Sequence, residues 1–393
     1  MTDSSPWQSP SGPPPTTPAS SGPPAPPGGI VPPPAPPAWT PPPRPGLVPL
    51  QPLTLGTILS ASFRVLRRNP RPTFGLALLI EAVIVVASAA LVGFVYVVAF
   101  SRLTNAASDR DAATIANGSV GLVLLAELVV VVLSVFGLAI LQGIISLEVA
   151  RGTVGEKLTL RGLWRQGRGR LGALIGWFWA LVGAALLAYV LLIVVIAILV
   201  AMGGAGGTAV AVVFAVLAFL AALVLLAWLY PKLSFVPAAL LVERLTLGRA
   251  IARSWTLTRG YFWRTLGIEL LVTVIINVAT SVVTFPLEFA LIILTGLFGQ
   301  TGDHGTLIVI GVIVGGLGVV LTVVVGAVAS VVQSASQALL YIDLRMRKEA
   351  LDLDLIRFVE ARQVGDESVL DPYLATARPR PAEFAPAGPT PAA

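Results

Sequence analysis

Between Phe74 and Leu344 the apolar residues run in stretches too long and too uniform for the stripe of a surface helix or the alternation of a half-buried strand. Six stretches stand out, at about 74–101, 119–149, 171–201, 208–230, 265–296 and 306–342. Each exceeds the roughly 20 residues a helix needs to cross a hydrocarbon core of about 30 Å. The expected fold is an all-α polytopic integral membrane protein with six transmembrane helices. At about 1.5 Å per residue the sixth stretch would reach some 50 Å, so it is expected to tilt or to project beyond the bilayer. Pro286 predicts a kink or an early end in the fifth. Gly203-Gly204-Ala205-Gly206-Gly207 predicts a short hairpin between the third and fourth.

The polar segments between the stretches repeat. Leu53-Thr54-Leu55-Gly56 returns as Leu245-Thr246-Leu247-Gly248, an offset of 192. Without gaps, Ser62 then aligns with Ser254, Phe63 with Trp255, Arg67 with Arg259 and Thr73 with Thr265. A shorter third copy opens at Leu158-Thr159-Leu160 and carries Leu163 and Trp164. Each copy precedes a pair of spans, so the membrane part reads as three hairpins, each preceded by an amphipathic helix. In the last copy Thr246 is placed to cap a helix in which Leu247, Ala250, Ile251, Ser254, Trp255 and Thr258 share one face. In the first copy Leu55, Ile58, Leu59, Ser62, Phe63 and Leu66 share the same register. Apolar faces carrying Phe63 and Trp255, flanked by Arg64, Arg67, Arg249 and Arg253, suit the membrane interface. The alternative is a connector packed on the bundle.

Composition excludes most other classes. Of 393 residues, 55% are hydrophobic and 12% charged, with a mean hydropathy of +0.86, whereas soluble domains carry about 25% charged residues. The absence of cysteine rules out disulfides, thiolate metal sites and thiol nucleophiles, and the one histidine, His304, rules out multi-histidine metal sites. No cofactor is expected. The net charge of +6 would admit nucleic acid as a partner, but the basic residues border the spans, where anionic lipid headgroups are the nearest counterions. Of the 26 Lys and Arg residues, 24 fall on one side of the alternating topology and two, Arg102 and Arg110, on the other. The positive-inside rule then predicts a multi-pass protein of the cytoplasmic membrane with both termini cytoplasmic. The loops near 102–118, 202–207 and 297–305 would lie outside.

Three zones follow. Residues 1–46 hold 19 of the 32 prolines and almost no charge, a composition that predicts a disordered Pro-rich cytoplasmic tail. Such a tail either solvates or serves as a polyproline ligand for a protein partner. It lacks a basic start before an apolar core, so the first span is expected to act as the targeting signal. Residues 47–344 form the membrane domain. Residues 345–393, with seven basic and eight acidic side chains, read as a cytoplasmic C-terminal tail.

Three segments carry a family resemblance: Pro52-Leu53-Thr54-Leu55-Gly56; Gly248-Arg249-Ala250-Ile251-Ala252-Arg253-Ser254-Trp255 leading to Tyr261-Phe262-Trp263; and Leu340-Tyr341-Ile342-Asp343-Leu344-Arg345-Met346-Arg347-Lys348-Glu349. Together they resemble the bacterial glycerophosphoryl diester phosphodiesterase membrane-domain proteins over about 47–355. Some members of that family carry a fused phosphodiesterase barrel, which would need some 200 or more further residues. The resemblance implies the membrane module without its enzyme.

Ionisable groups inside a membrane are costly and are functional candidates by default. Glu81 and Glu127 each lie about 10 Å deep by helical rise, with no basic residue in either stretch. They are the candidates for a proton, ion or headgroup site, the alternative being protonated acids bonded between helices. Glu148 and Asp343 are expected to pair locally with Arg151 and Arg345, and Glu269 to reach Arg264 or the interface. Gln142 and Gln337 precede Glu148 and Asp343 by the same six residues, a parallel that supports the repeat. No nucleophile–base pair or metal cluster assembles, so an enzyme is not expected. Two functions remain: a non-enzymatic module that organises lipid- or envelope-related partners, or a small permease for a lipid-like or ionic substrate.

Overall fold

The computed structural model describes residues 46–104, 108–202, 204–299, 304–366 and 368–375. The Pro-rich N-terminal segment, with its expected partner role, and the end of the C-terminal tail lie outside the described residues. Among those described, all regular structure is helical. Amphipathic α1 (Leu55–Arg68) leads through a π-helical turn (Arg71–Gly75) into α2 (Leu76–Thr104), which pairs with α3 (Asp109–Thr153). The second hairpin is α4 (Leu160–Ala201) with α5 (Gly204–Leu233). Short α6 (Val236–Val242) and amphipathic α7 (Leu247–Thr258) introduce the third, α8 (Phe262–Gly299) with α9 (His304–Glu349). Helices α10 (Leu351–Gln363) and α11 (Pro372–Ala375) close the chain.

Six helices are long and apolar enough to span a membrane, over Arg71–Arg102, Gly118–Thr153, Leu160–Ala201, Gly206–Val242, Phe262–Leu297 and Val309–Glu349. Their apolar side chains face outward along every span, among them Phe94, Leu124, Leu187, Leu217, Val282 and Val312. A water-soluble protein rarely tolerates so continuous an apolar surface, whereas a bilayer requires it. The protein is an integral membrane protein. Neither Pro286 in α8 nor Pro231 in α5 ends its helix. The second amphipathic segment is not a separate helix: it is the first part of α4, which runs on without a break.

Thr54 and Thr159 cap α1 and α4 by accepting the backbone N–H groups of Thr57 and Gly162, each at 3.3 Å. Thr246 holds the equivalent place before α7 but makes no such bond. Burial confirms the repeat register. Ile58 and Ala250, Ser62 and Ser254, Val65 and Leu257, and Thr73 and Thr265 are all buried pairs at the offset of 192.

The core lies at one end of the bundle, called here the base. It joins α1, the last turns of α3 and α9, the start of α4, and α6, α7 and α10. Toward the other end the helices expose most of their surface, and α5 touches α8 more lightly than α9 touches α2. At the base the strand of chain before α1 crosses the end of α3 at Gly46. Leu47 N–H donates to the Gly152 carbonyl at 2.8 Å, and a Cβ on Gly46 would lie 2.3 Å from that same oxygen. The glycine is there because backbone passes over backbone.

Part of the segment expected to be a tail folds back onto the base. Leu351, Leu355 and Phe358 of α10 are buried, Asp371 accepts a bond from Arg151 at 2.5 Å, and Tyr373 bonds Thr153. Burial pushes the Tyr373 phenol up to about 12, against the opposing bond from Thr153. A phenol held protonated above its ordinary value near 10.0 means the fold keeps a proton that the unfolded chain releases. This contact is therefore at full strength below about pH 10 and is lost as pH rises through about 12. A tyrosinate absorbance titration should show a component with a midpoint near 12, absent from Tyr373→Phe. An unchanged titration in that variant would disprove the assignment.

Candidate functional site

The polar chemistry of the described residues concentrates at the base, in three clusters that tie the repeats together. In the first, the fully buried Asp343 of α9 accepts the Leu53 N–H at 2.7 Å. It also accepts Arg347 Nε at 3.0 and 3.1 Å, and Arg264 of α8. Arg264 and Arg347 in turn donate to the Leu53 carbonyl at 3.0 and 2.9 Å. The peptide groups on both sides of Leu53 are thus held by side chains from the far end of the chain.

The second cluster is charge-balanced. Glu243, at the end of α6, accepts Arg253 Nε with both oxygens at 3.0 Å, bonds Tyr341 and lies 3.4 Å from Arg345. Glu349 accepts Arg253 Nη2 at 2.7 Å and Arg345 Nε at 3.2 Å. Burial alone would lower the Arg253 pKa, but Glu349 and Glu243 outweigh it and push it up. In the third cluster Asn69 bridges Glu148 at 3.2 Å and the Leu158 carbonyl at 2.9 Å.

These clusters follow one plan. The carboxylate ending the first hairpin, Glu148, grips through Asn69 the leucine that opens the second copy of the repeat. The carboxylate ending the third hairpin, Asp343, grips the leucine that opens the first copy. At the remaining joint Glu243 holds Arg253, while Ser254 and Thr258 donate to the Lys232 and Pro231 carbonyls at 2.7 and 3.2 Å. Those carbonyls end α5, where helical partners run out. The three repeats close into a ring at the base.

The expected local pairs do not form. Asp343 and Arg345 are two residues apart and so point to different sides of α9, and Arg345 turns to Glu243 and Glu349 instead. Arg151 pairs with Asp371 and Glu156 rather than Glu148. Arg264 is taken by Asp343, which leaves Glu269 without it. Arg253, expected to face headgroups, turns inward because the buried Glu243 and the half-buried Glu349 offer two carboxylates within reach.

The other interfacial candidates stay outward. Arg64, Arg67 and Arg249 are exposed, and Phe63 is 44% exposed. Trp255, 38% exposed, meets Trp228 edge-on at 5.4 Å. Lys232 Nζ sits 3.8 Å from the Trp255 ring and 4.4 Å from Trp228. The buried faces of α1 and α7, through Ile58, Ser62, Ala250 and Ser254, pack on the bundle. The two helices thus serve as packed connectors while presenting an arginine edge.

Glu81 and Glu127 are not brought together. Glu81 lies against Gly326 of α9 beside the Ser330 hydroxyl, whereas Glu127 is exposed on α3. Gln142 and Gln337 do meet, with Gln142 Nε2 donating to Gln337 Oε1 at 2.6 Å. Gln337 continues to the Tyr230 hydroxyl at 3.2 Å. Sequence reasoning missed Glu243, although it is the lone carboxylate among six cations between Lys232 and Arg264. Among the described residues no cluster of His, Cys, Asp and Glu could hold a metal ion. Comparison with protein-family models, with curated proteins and with solved structures finds no match to this chain.

Proposed function

We propose that this chain is a non-enzymatic module of the cytoplasmic membrane, both termini cytoplasmic, that organises lipid- or envelope-related partners through its base. The observation that carries this reading is the division of the arginines. Arg253, Arg264, Arg345 and Arg347 are spent at the base on carboxylates. Arg64, Arg67, Arg161, Arg165, Arg168 and Arg249 are exposed and have no ion-pair partner among the described residues. Structural needs do not account for this second set. It forms a basic collar where helices enter the apolar zone, and each such residue contributes about 1 kcal/mol near an anionic surface. The segments that resemble the phosphodiesterase membrane-domain family, from Pro52 and from Gly248, carry two of the collar's helices.

The test is lipid selectivity of the full chain in nanodiscs made from equal parts phosphatidylglycerol and phosphatidylcholine. Lipids retained with the purified protein should be enriched in phosphatidylglycerol, and the enrichment should fall as salt rises. The Arg64→Glu, Arg67→Glu, Arg249→Glu triple variant should lose most of it without a change in thermal midpoint. Equal retention of both lipids by the parent chain would overturn the proposal. A second reading, a small permease for a lipid-like or ionic substrate, is favoured by one observation: the Gln142–Gln337–Tyr230 chain carries polar contacts across α3, α9 and α5 within the spans.

A further inference from the structure

One buried carboxylate in the spans lacks a well-formed hydrogen bond among the described residues. Glu269 of α8, about 10 Å along the helix from Phe262 by rise, is 2% exposed. Neither of its oxygens has a hydrogen bond of ordinary geometry among the described residues. Thr265 lies one turn before it, on the same helix face, and its hydroxyl is likewise buried without a partner. Three adjacent buried oxygens are therefore unsatisfied, where a folded chain normally satisfies nearly all.

Further oxygens surround them. From the end of α5 the Tyr230 phenol, and from the turn after it the Ser234 hydroxyl, face the Glu269 carboxylate. Thr273, one turn beyond, donates to the Glu269 carbonyl at 2.8 Å. From α9, Gln333 and Gln337 reach the Tyr230 hydroxyl at 3.4 and 3.2 Å. Among the described residues no positive side chain answers the carboxylate. Arg264 is held by Asp343, and Lys232 of α5 is held against Trp228 and Trp255. On α9 no charged residue occurs between 309 and 342, and Glu81 of α2 faces Gly326 and Ser330. An ionised carboxylate without water or counter-charge is too costly to persist at this depth. Something of charge +1 must balance it.

We propose that Glu269 and Thr265, with the Ser234 and Tyr230 hydroxyls, form an intramembrane site for a monovalent cation, either a proton or a sodium ion. The donors are all oxygen, which suits hard cations over thiophilic or imidazole-seeking metals. One carboxylate balances one positive charge, whereas a divalent ion would leave an excess buried in the membrane. The site is independent of the basic collar, and its failure would leave the lipid reading untouched.

Two measurements on the purified full-length protein test it and separate the two occupants. The first is the thermal midpoint in sodium chloride against choline chloride at equal ionic strength. Sodium at about 100 times its dissociation constant should raise the midpoint by about 5 °C. Glu269→Gln and Thr265→Val should each abolish that sodium-dependent rise, and Glu269→Gln should stay folded because the amide keeps the side chain's shape. The second is infrared difference spectroscopy across a pH step. A proton occupant should give a carboxylic-acid carbonyl band that Glu269→Gln removes, with no response to sodium. A sodium response that persists in Glu269→Gln would overturn the proposal. So would the absence from the parent of both a sodium response and a carboxylic-acid band assignable to Glu269.

Discussion

Asp343→Ala should destabilise the protein by about 3–5 kcal/mol, the scale for removing one partner from a buried ion pair. The reason is what the substitution leaves behind. Arg264 and Arg347 would keep their charge with no carboxylate opposite, and the Leu53 N–H would lose its acceptor. The joint between the last hairpin and the first copy of the repeat would open as a unit. In a chain of this size the thermal midpoint should fall by about 6–10 °C. Glu349→Ala is the control within the same base, because Arg253 and Arg345 still keep Glu243. Its midpoint should fall by less than half as much. Asp343→Asn should lie between, retaining an acceptor for Leu53 while losing the charge. A midpoint within 2 °C of the parent for Asp343→Ala, about 1 kcal/mol at this size, would show that the grip on Leu53 does not hold the base together.

The same joint shows why the sequence yielded the spans and the repeat but not the partners. Spans are read from runs of like residues, and each of the six expected stretches lies almost entirely within an observed helix. The repeat was legible because its register is local. A shift of 192 brings Ser62 onto Ser254 and Thr73 onto Thr265, and both pairs are buried. Partner choice is not local. Asp343 bonds Leu53, 290 residues earlier, and no periodicity within either segment announces that α1 lies along the end of α9. The sequence therefore suggested the nearest cation, Arg345, where helix geometry sends that side chain elsewhere.

Depth misled in a second way. Glu81 and Glu127 drew attention because each sits far inside an apolar run, but distance from the helix end says nothing about which face a side chain takes. Glu81 points at α9, and Glu127 points out of the bundle. Glu269, one turn from the interface by sequence, is the most deeply buried of the three, with Tyr230 of α5 and Ser234 just beyond it facing its carboxylate. Arg253 followed the same logic in reverse. It belongs to an arginine-rich amphipathic helix, and the lone carboxylate at Glu243 drew it inward.

In a chain without cysteine, single cysteines report sidedness without background, and their labelling should be all-or-none. On intact cells an impermeant thiol reagent should modify Asp111→Cys and spare Arg165→Cys and Arg249→Cys; after permeabilisation all three should react. All three positions are exposed, so failure to react on intact cells reports the membrane rather than burial. Of the 26 basic residues, 24 fall on one side of the alternating topology, and loops rich in Lys and Arg resist translocation. Exposed Arg64, Arg67, Arg165 and Arg249 carry no compensating carboxylate among the described residues. Moving the base outward would carry that uncompensated charge across the hydrocarbon core. Labelling at Arg165→Cys with protection at Asp111→Cys would invert the topology and place the arginine collar, with the lipid contacts proposed for it, on the outer face.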